Sequence, residues 1–366
     1  MLASIEIQNF RCIEHTHLDF DPRGTGILGN NASGKTSLLE AIFFLGHARS
    51  LRTNTRDKLV KRGTDFFRVV GRVDTPRGVL VAGTEYTGGQ TKTRLAGQGV
   101  SSISQVAEIL PIQLIDPGVH RLIEEGSARR RRLLDWGVFH VEHEFLPHWR
   151  RYQRALQQRN AALRTGEDLT VVGAWERELV DCGLAVDIAR GKYSAQLKDC
   201  FEAIAARLLD EPATFEYRRG WAADQELDEA FLEARARDLR LKTTTVGPHR
   251  ADLVFKVGGV VARDRVSRGQ QKMLASAFIL SQIQLRSTTA AVPTCLLLDD
   301  PAAELDVDNL GKLLAVIDSV PSQLVVTSVS EAGLKGIQVR RLFHVEQGHF
   351  APMLYSTGVN SRFGHD

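Results

Sequence analysis

The chain has 366 residues, 43% of them hydrophobic and 25% charged, with a formal net charge of +3 and a pI near 8.7. Such a composition suits a globular chain with a real apolar core, in one large domain or two ordinary ones. Cys12, Cys182, Cys200 and Cys295 make no CxxC pair and no metal-ligand spacing, and no apolar stretch approaches a membrane span, so a soluble cytoplasmic protein is expected.

In chain order, "SIEIQNF" and "HTHLDF" alternate like strands, and "TGILG" is a short buried strand. "KTSLLEAIFFLG" carries helical spacing at Leu38, Leu39, Ile42 and Leu45 and ends at Gly46. "FFRVVGRV" and "GVLVAGTEY" read as strands joined across Thr75-Pro76-Arg77-Gly78, and "PIQLI" as another. From Ser127, a suitable N-cap for the run Arg129–Arg132, the texture turns helical as far as residue 242. Leu197, Phe201, Ile204 and Leu208 share one helical face there. Strand texture returns at "ADLVFKV" with a Gly258-Gly259 hairpin turn. A helix at 270–286, the buried strand "TCLLLDD", a helix near 308–318, the strand "QLVVTSV" and the hairpin "RLFHVEQGHFAPM" follow. One α/β unit is interrupted by a helical insertion, and its two halves must meet for the sheet to close.

"GILGNNASGKTSLLEAI" contains Gly29-x-x-x-x-Gly34-Lys35-Thr36 between a buried strand and a helix, the context that a phosphate-binding loop needs. Backbone N–H groups of Gly29, Asn30, Asn31, Ala32, Ser33, Gly34, Lys35, Thr36 and Ser37 can converge on phosphate at a helix N-terminus. Lys35 would reach the β- and γ-phosphates, and Thr36 would offer a hydroxyl to Mg²⁺. "CLLLDDPAAELD" ends a buried strand in Asp299 and Asp300, where packing alone gives no reason for two acids. Asp299 is suited to hold the metal and Asp300 to act as general base toward water. The bland alternative is a strand end capped by solvated acids. Glu304 and Asp306 continue the pattern, with Asp306 set to meet a neighbouring surface. "VSRGQQK" begins a helix with a polar, flexible entry suited to an anion.

Charge is unevenly spread. Residues 49–72 hold eight Lys/Arg against Asp57 and Asp65, and residues 121–164 hold ten Arg against five acids. A DNA backbone needs such cations along its path. Arg49, Arg52, Arg56, Lys58, Lys61 and Arg62 are the candidates as a group, in a sequence-independent mode. For Arg129–Arg132 the alternative is salt bridging within the molecule.

Taken together, "IEIQNFRCIEHTHLDF", "GNNASGKTSLLEAI", "ARRRRLLDWGVFHVE", "TVGPHRADL", "VSRGQQK" and "LLLDDPAAELD" resemble stretches of the RecF family, in family order. The resemblance implies an α/β fold: an ABC-type P-loop ATPase head, related to SMC heads, with an inserted helical second lobe and no long coiled coil. It implies an ATPase lobe from 1–126 and 243–366, a helical lobe at 127–242, and a signature loop at 266–271 that closes on a partner chain. In that frame Ser267, Arg268, Gly269 and Gln270 form the signature loop acting in trans, and Asp306 the loop crossing the dimer interface. Gln113 becomes the glutamine sensing metal and water, and Arg11 an arginine reaching nucleotide phosphate. ATP and Mg²⁺ are the implied cofactors, with ATP-dependent homodimerisation and slow hydrolysis. Double-stranded DNA, ss/dsDNA junctions and cooperation with RecR and RecO in loading RecA are the implied partners.

Two residues depart from the general pattern. Arg268 stands where most ABC heads have Gly, and Ser328, beside Thr327, stands where transporters carry a switch histidine. Without that imidazole, turnover should be slow. The rival readings are a transporter's nucleotide-binding subunit, another SMC-like repair ATPase, and a nucleotide kinase, which leaves "VSRGQQK" without a purpose.

Overall fold

The computed structural model describes residues 1–166, 168–303 and 305–353. In chain order the first half runs β1 (Leu2–Phe10), β2 (Ile13–Asp19), β3 (Gly24–Leu28), α1 (Lys35–His47), β4 (Phe66–Thr75), β5 (Gly78–Thr87), β6 (Gln90–Leu95), β7 (Gln98–Gly99), α2 (Ser104–Ile109) and β8 (Ile112–Ile115). Helices α3 (Arg121–Glu124), α4 (Ser127–Val141), α5 (Phe145–Thr165), α6 (Leu169–Ala174) and α7 (Glu176–Leu208) follow, then β9 (Ala213–Arg218) and α8 (Leu227–Leu241). The chain ends through β10 (Asp252–Val257), β11 (Val260–Val261), α9 (Arg268–Ser287), β12 (Thr294–Asp299), α10 (Val307–Ser319), β13 (Ser322–Ser328), β14 (Arg341–Glu346) and β15 (His349–Met353).

The chain divides into two compact units, Met1–Val119 with Ala290–Asp366, and His120–Thr289. In the first, an antiparallel sheet of order β2-β1-β4-β5-β6-β7 accompanies a sheet of order β15-β14-β3-β13-β12-β8, whose strands other than β15 run parallel. The sequence halves meet here, since β3 pairs with β13 and β14, and β8 pairs with β12. Helix α1 lies within the core and contacts strands of both sheets. It is apolar nearly all round because both sides are buried. Cys295 and Leu297 of β12, Val325 of β13 and Phe343 of β14 pack in one cluster with Leu38, Leu39 and Ile42. Successive strand residues face opposite ways, so this parity marks the sheet face that looks at α1.

The second unit holds α3–α9 and the small antiparallel sheet β11-β10-β9. Its boundary corrects the lobe limits expected from the sequence. Residues 243–289 group with the helical segment because α9 packs along α7, and β10 pairs with β9, a strand that the helical texture concealed. Arg130 adds to the tie: its guanidinium donates to both carboxylate oxygens of Asp252 at 2.7 and 3.0 Å and to the carbonyls of Leu122, Ile123 and Glu125. Arg131 donates to the Ala251 carbonyl and Arg129 pairs with Glu125, so Arg129, Arg130 and Arg131 serve intramolecular contacts, while Arg132 is exposed. The N-cap of α4 is Gly126, and Ser127 sits inside the first turn. Leu197, Phe201, Ile204 and Leu208 are buried on α7 as their spacing requires.

Within this unit His249 is a neutral structural imidazole. Its Nε2 donates to the Thr244 carbonyl at 3.0 Å, while Nδ1 accepts from the Tyr152 hydroxyl at 2.7 Å. Burial, reinforced by Arg250 and Arg131, pushes its pKa from 6.5 to about 4. Because the folded-state pKa is depressed, the group's stabilisation is present above pH 6.5 and lost as pH falls through about 4. Chemical denaturation should therefore show wild type losing up to about 3 kcal/mol more than His249→Asn across that window. Parallel curves for the two proteins would remove His249 as a cause of acid lability.

Candidate nucleotide-binding site

The loop between β3 and α1 is built by close approach. A Cβ on Gly29 would stand 2.4 Å from the Val345 carbonyl oxygen and 2.7 Å from Ser33 Oγ, so only glycine fits. Gly34 has φ +119°, a left-handed conformation that glycine adopts freely. Ala32 also has positive φ, at 62°. The loop is pinned by Ser33 N donating to the Asn30 carbonyl and by Gly348 N donating to the Ser33 carbonyl at 2.7 Å. Asn30, Asn31 and Ala32 are exposed, whereas Ser33, Gly34 and Lys35 are buried. Ser33 Oγ is buried with no hydrogen-bond partner. Ser37 accepts a contact from the Cys12 thiol at 3.5 Å.

Lys35 Nζ donates to the Gly29 carbonyl at 2.6 Å and to that of Asn30 at 2.9 Å. Desolvation lowers its pKa, with Asp300 and Asp299 pulling the other way. Carbonyls thus hold the ammonium in place within the loop, where a phosphate would stabilise its charge.

The acids arrive from the other end of the chain. Thr36 Oγ1 lies 3.0 Å from Asp299 Oδ2 and 3.3 Å from Oδ1, across 263 positions of sequence. Strand β13 runs between β3 and β12, and its Thr327 pairs with Asp299 on one side and Ile27 on the other. The Thr327 hydroxyl donates to Asp299 Oδ1 at 2.7 Å and accepts from the Asp300 N–H at 3.0 Å. Asp300 has φ +41°, a strained conformation for a non-glycine residue. Burial raises the pKa of Asp300, with Asp299 adding to the rise and Lys35 opposing it. Ser328 turns away: its hydroxyl donates to the Ser330 carbonyl at 2.8 Å.

Two expected members are not brought into this site. Gln113 is paired with Leu296 in the β8–β12 register, three rows short of Asp299, or roughly 10 Å along the strand. Its parity puts it on the face opposite Ile112, whose side chain would meet a Cβ on Gly46 of α1. Gln113 therefore faces away from α1 and cannot attend metal or water beside Thr36. Arg11, expected at nucleotide phosphate, is committed elsewhere. Its Nε and Nη2 donate to Glu40 at 2.8 and 3.1 Å, and Nη1 donates to the Lys58 carbonyl at 2.8 Å. Glu40 is fully buried on α1 and also accepts from Ser50. Arg11 neutralises that carboxylate and fastens the segment after α1. Only a charged residue inside an otherwise apolar helix hinted at Glu40 in the sequence.

That fastened segment carries the basic group. Arg49, Arg52, Arg56, Lys58 and Arg62 are exposed, while Lys61 is paired with Glu14. Arg49 lies over the Phe43 ring at 5.6 Å and Arg56 donates to Thr91 at 3.0 Å.

In the second unit, Ser267 N-caps α9 in a full capping box. Its hydroxyl accepts from Gln270 N at 3.2 Å, and the Gln270 side chain accepts from Ser267 N at 2.9 Å. Arg268 is 80% exposed, with Glu124 3.8 Å away, and Gly269 has open space around it. In the first unit, Asp306 N-caps α10 by accepting from Asn309 N at 2.8 Å. Those bonds hold its carboxyl below the usual range. Glu304 lies outside the described residues.

A family model described as RecF/RecN/SMC N terminal domain matches residues 1–350. The chain is 38% identical over 355 residues to the DNA replication and repair protein RecF of Pseudomonas fluorescens, covering 95% of this chain and 97% of the relative. Against the RecF of Thioalkalivibrio sulfidiphilus identity is 34% over 353 residues, covering 95% and 98%. Among solved structures, the recombination mediator protein RecF with ATP, of the RecFOR pathway, superposes with a TM-score of 0.86 at 23% identity, covering 96% and 97% of the two chains. An Smc head bound to the C-terminal winged-helix domain of ScpA gives a TM-score of 0.60 at 15% identity, covering 97% and 98%. Both likenesses concern the fold: that of an SMC-type ATPase head. Among the described residues no helix is long and apolar enough to cross a membrane.

Proposed function

The chain belongs to the RecF family of DNA replication and repair proteins, and we propose that it is an ATP-gated DNA clamp of recombinational repair. The observation that carries this reading is the meeting of Lys35, Thr36, Asp299 and Asp300 around one loop, from opposite ends of the chain. Phosphate would lie on the loop N–H groups and on Lys35. Mg²⁺ takes few protein oxygens and keeps phosphate and water ligands. The Thr36 hydroxyl and the Asp299 carboxylate, 3.0 Å apart, fit that need without a cluster of acids. When bound, the metal would neutralise charge developing on the phosphates.

Asp300, with its raised pKa, takes a proton from the attacking water as general base. Ser328 offers no imidazole to the γ-phosphate, which supports slow turnover and the use of ATP as a switch. Ser267, Arg268, Gly269 and Gln270 close on the ATP of a second copy, and Asp306 lies along the joint. DNA, double-stranded or at a junction with single strand, crosses the segment bearing Arg49, Arg52, Arg56, Lys58, Lys61 and Arg62. RecR and RecO are the inferred partners in loading RecA, since the related RecF is assigned to the RecFOR pathway.

DNA retention tests the reading. It should require ATP and fall linearly with log salt at about 0.9 log units per phosphate contacted. Changing Arg52, Arg56, Lys58 and Arg62 together to Ala should flatten that slope by up to about 3.6 while leaving ATP binding unchanged. Retention indifferent to nucleotide would break the proposed coupling, and an unchanged slope would move the DNA path off this segment.

A further inference from the structure

We infer that Thr327 is a positioning residue for hydrolysis: one buried hydroxyl sets the metal-side carboxylate and the base-side carboxylate in mutual register. The inference rests on the ATPase reading above and assigns a function to a side chain which that reading leaves unused.

The geometry is specific. Thr327 is fully buried on β13, between the strand that carries the phosphate loop and the strand that carries the acids. A hydroxyl has one proton to give and lone pairs to accept with, and here both capacities are used on adjacent residues. The proton goes to Asp299 Oδ1 at 2.7 Å. A lone pair takes the Asp300 N–H at 3.0 Å, and the Thr327 carbonyl shares that N–H at 3.1 Å. With Oδ1 occupied, Asp299 presents Oδ2 to Thr36, 3.0 Å away, which is where the metal is expected.

The same contact acts on the base. Asp300 sits just past the end of β12 at φ +41°, a conformation that persists only when its surroundings over-determine it. Two acceptors on its N–H supply one restraint. A second comes from Ala303 N, which donates to the Asp300 carbonyl at 3.1 Å. The carboxyl is directed by that backbone setting together with its own hydrogen bond from the backbone of Val329. Fully buried, with its hydroxyl engaged by the two acids, Thr327 is placed to act through them, in the manner of groups that orient metal ligands from behind.

A merely structural threonine would show up in stability alone. Thr327→Val keeps the shape and β-branching but removes the hydroxyl. We expect it to lower kcat for Mg·ATP hydrolysis at least tenfold and raise the half-saturating Mg²⁺ concentration several-fold. The Kd for ATP measured without Mg²⁺ should stay within threefold of wild type. Thr327→Ser, which keeps the hydroxyl, should recover kcat to within about threefold. Wild-type kcat in the Val variant, or Ser failing as badly as Val at unchanged Tm, would overturn the inference. So would a loss of Mg²⁺-free ATP affinity matching the loss of kcat. A wild-type protein that binds ATP but shows no Mg²⁺-dependent hydrolysis would overturn the ATPase reading and this inference together, which separates the two failures.

Discussion

With Asn at position 300, the chain still binds Mg·ATP but hydrolyses it at least about a hundredfold more slowly. The amide fills the same space and can keep the backbone contacts to Thr327, yet it cannot accept a proton from water. Burial raises the pKa of Asp300, so the wild-type acid limb should lie above the ordinary carboxylate range. Turnover should fall as pH drops through that limb, because the base must be ionised to act. The sign for stability is opposite. A carboxyl whose folded-state pKa is raised opposes folding once pH climbs past its unfolded value. Asp300→Asn should thus have a Tm at neutral pH equal to or above that of wild type. Slow hydrolysis with intact binding predicts an accumulated dimer, visible by sizing with ATP. A variant that stays monomeric with ATP sinks the clamp, and one with wild-type turnover removes Asp300 as the base.

The site was legible in the sequence where its geometry is local or its chemistry is costly. Gly29 to Thr36 is a continuous turn, so residue spacing alone specifies the cradle. Asp299 and Asp300 stood out because acids at the end of a buried apolar run need a partner. What the sequence hid was register and pairing. "PIQLI" could place Gln113 at a strand end, but only the β12 register shows it opposite Leu296 and turned from α1. A one-residue change in register would have reversed that face. Arg11 matched a phosphate-reaching arginine in position, while the buried Glu40 that captures it lies 29 residues away, and its place in an apolar helix does not say which cation it takes. The lobe boundary failed for a related reason. A six-residue strand, Ala213–Arg218, is short beside the helices around it, and it draws β10 away from the ATPase sheet. Thr327 attracted notice only as the neighbour of a missing histidine. Its two hydrogen bonds depend on strand order, which a single strand does not encode.

Mixing two inactive variants should restore activity. Lys35→Met removes the phosphate-binding ammonium, and Ser267→Arg removes the hydroxyl that caps α9 while adding bulk and charge at its start. Each alone is expected to abolish most ATP turnover. If each ATP is held between the loop of one chain and the signature of another, a Lys35→Met chain paired with a Ser267→Arg chain keeps one site free of both changes. Random pairing at equal amounts makes half the dimers mixed, and each retains one of two sites, so about a quarter of wild-type turnover should return. The structure gives the signature something to offer in such a joint. Gln270 N is satisfied by Ser267 Oγ and Gln271 N by the Ser267 carbonyl, whereas the N–H groups of Arg268 and Gly269 have no acceptor within the helix. Those two donors and the Ser267 hydroxyl lie at the helix start, where Arg268 also begins, its guanidinium exposed beside Glu124. They can meet a γ-phosphate only if nothing fills the space beside Gly269, and a Cβ built there meets just Ser267 Oγ, at 3.8 Å. A mixture no more active than the average of its components would mean that no ATP is held between two chains, and the trans role of the signature would fall.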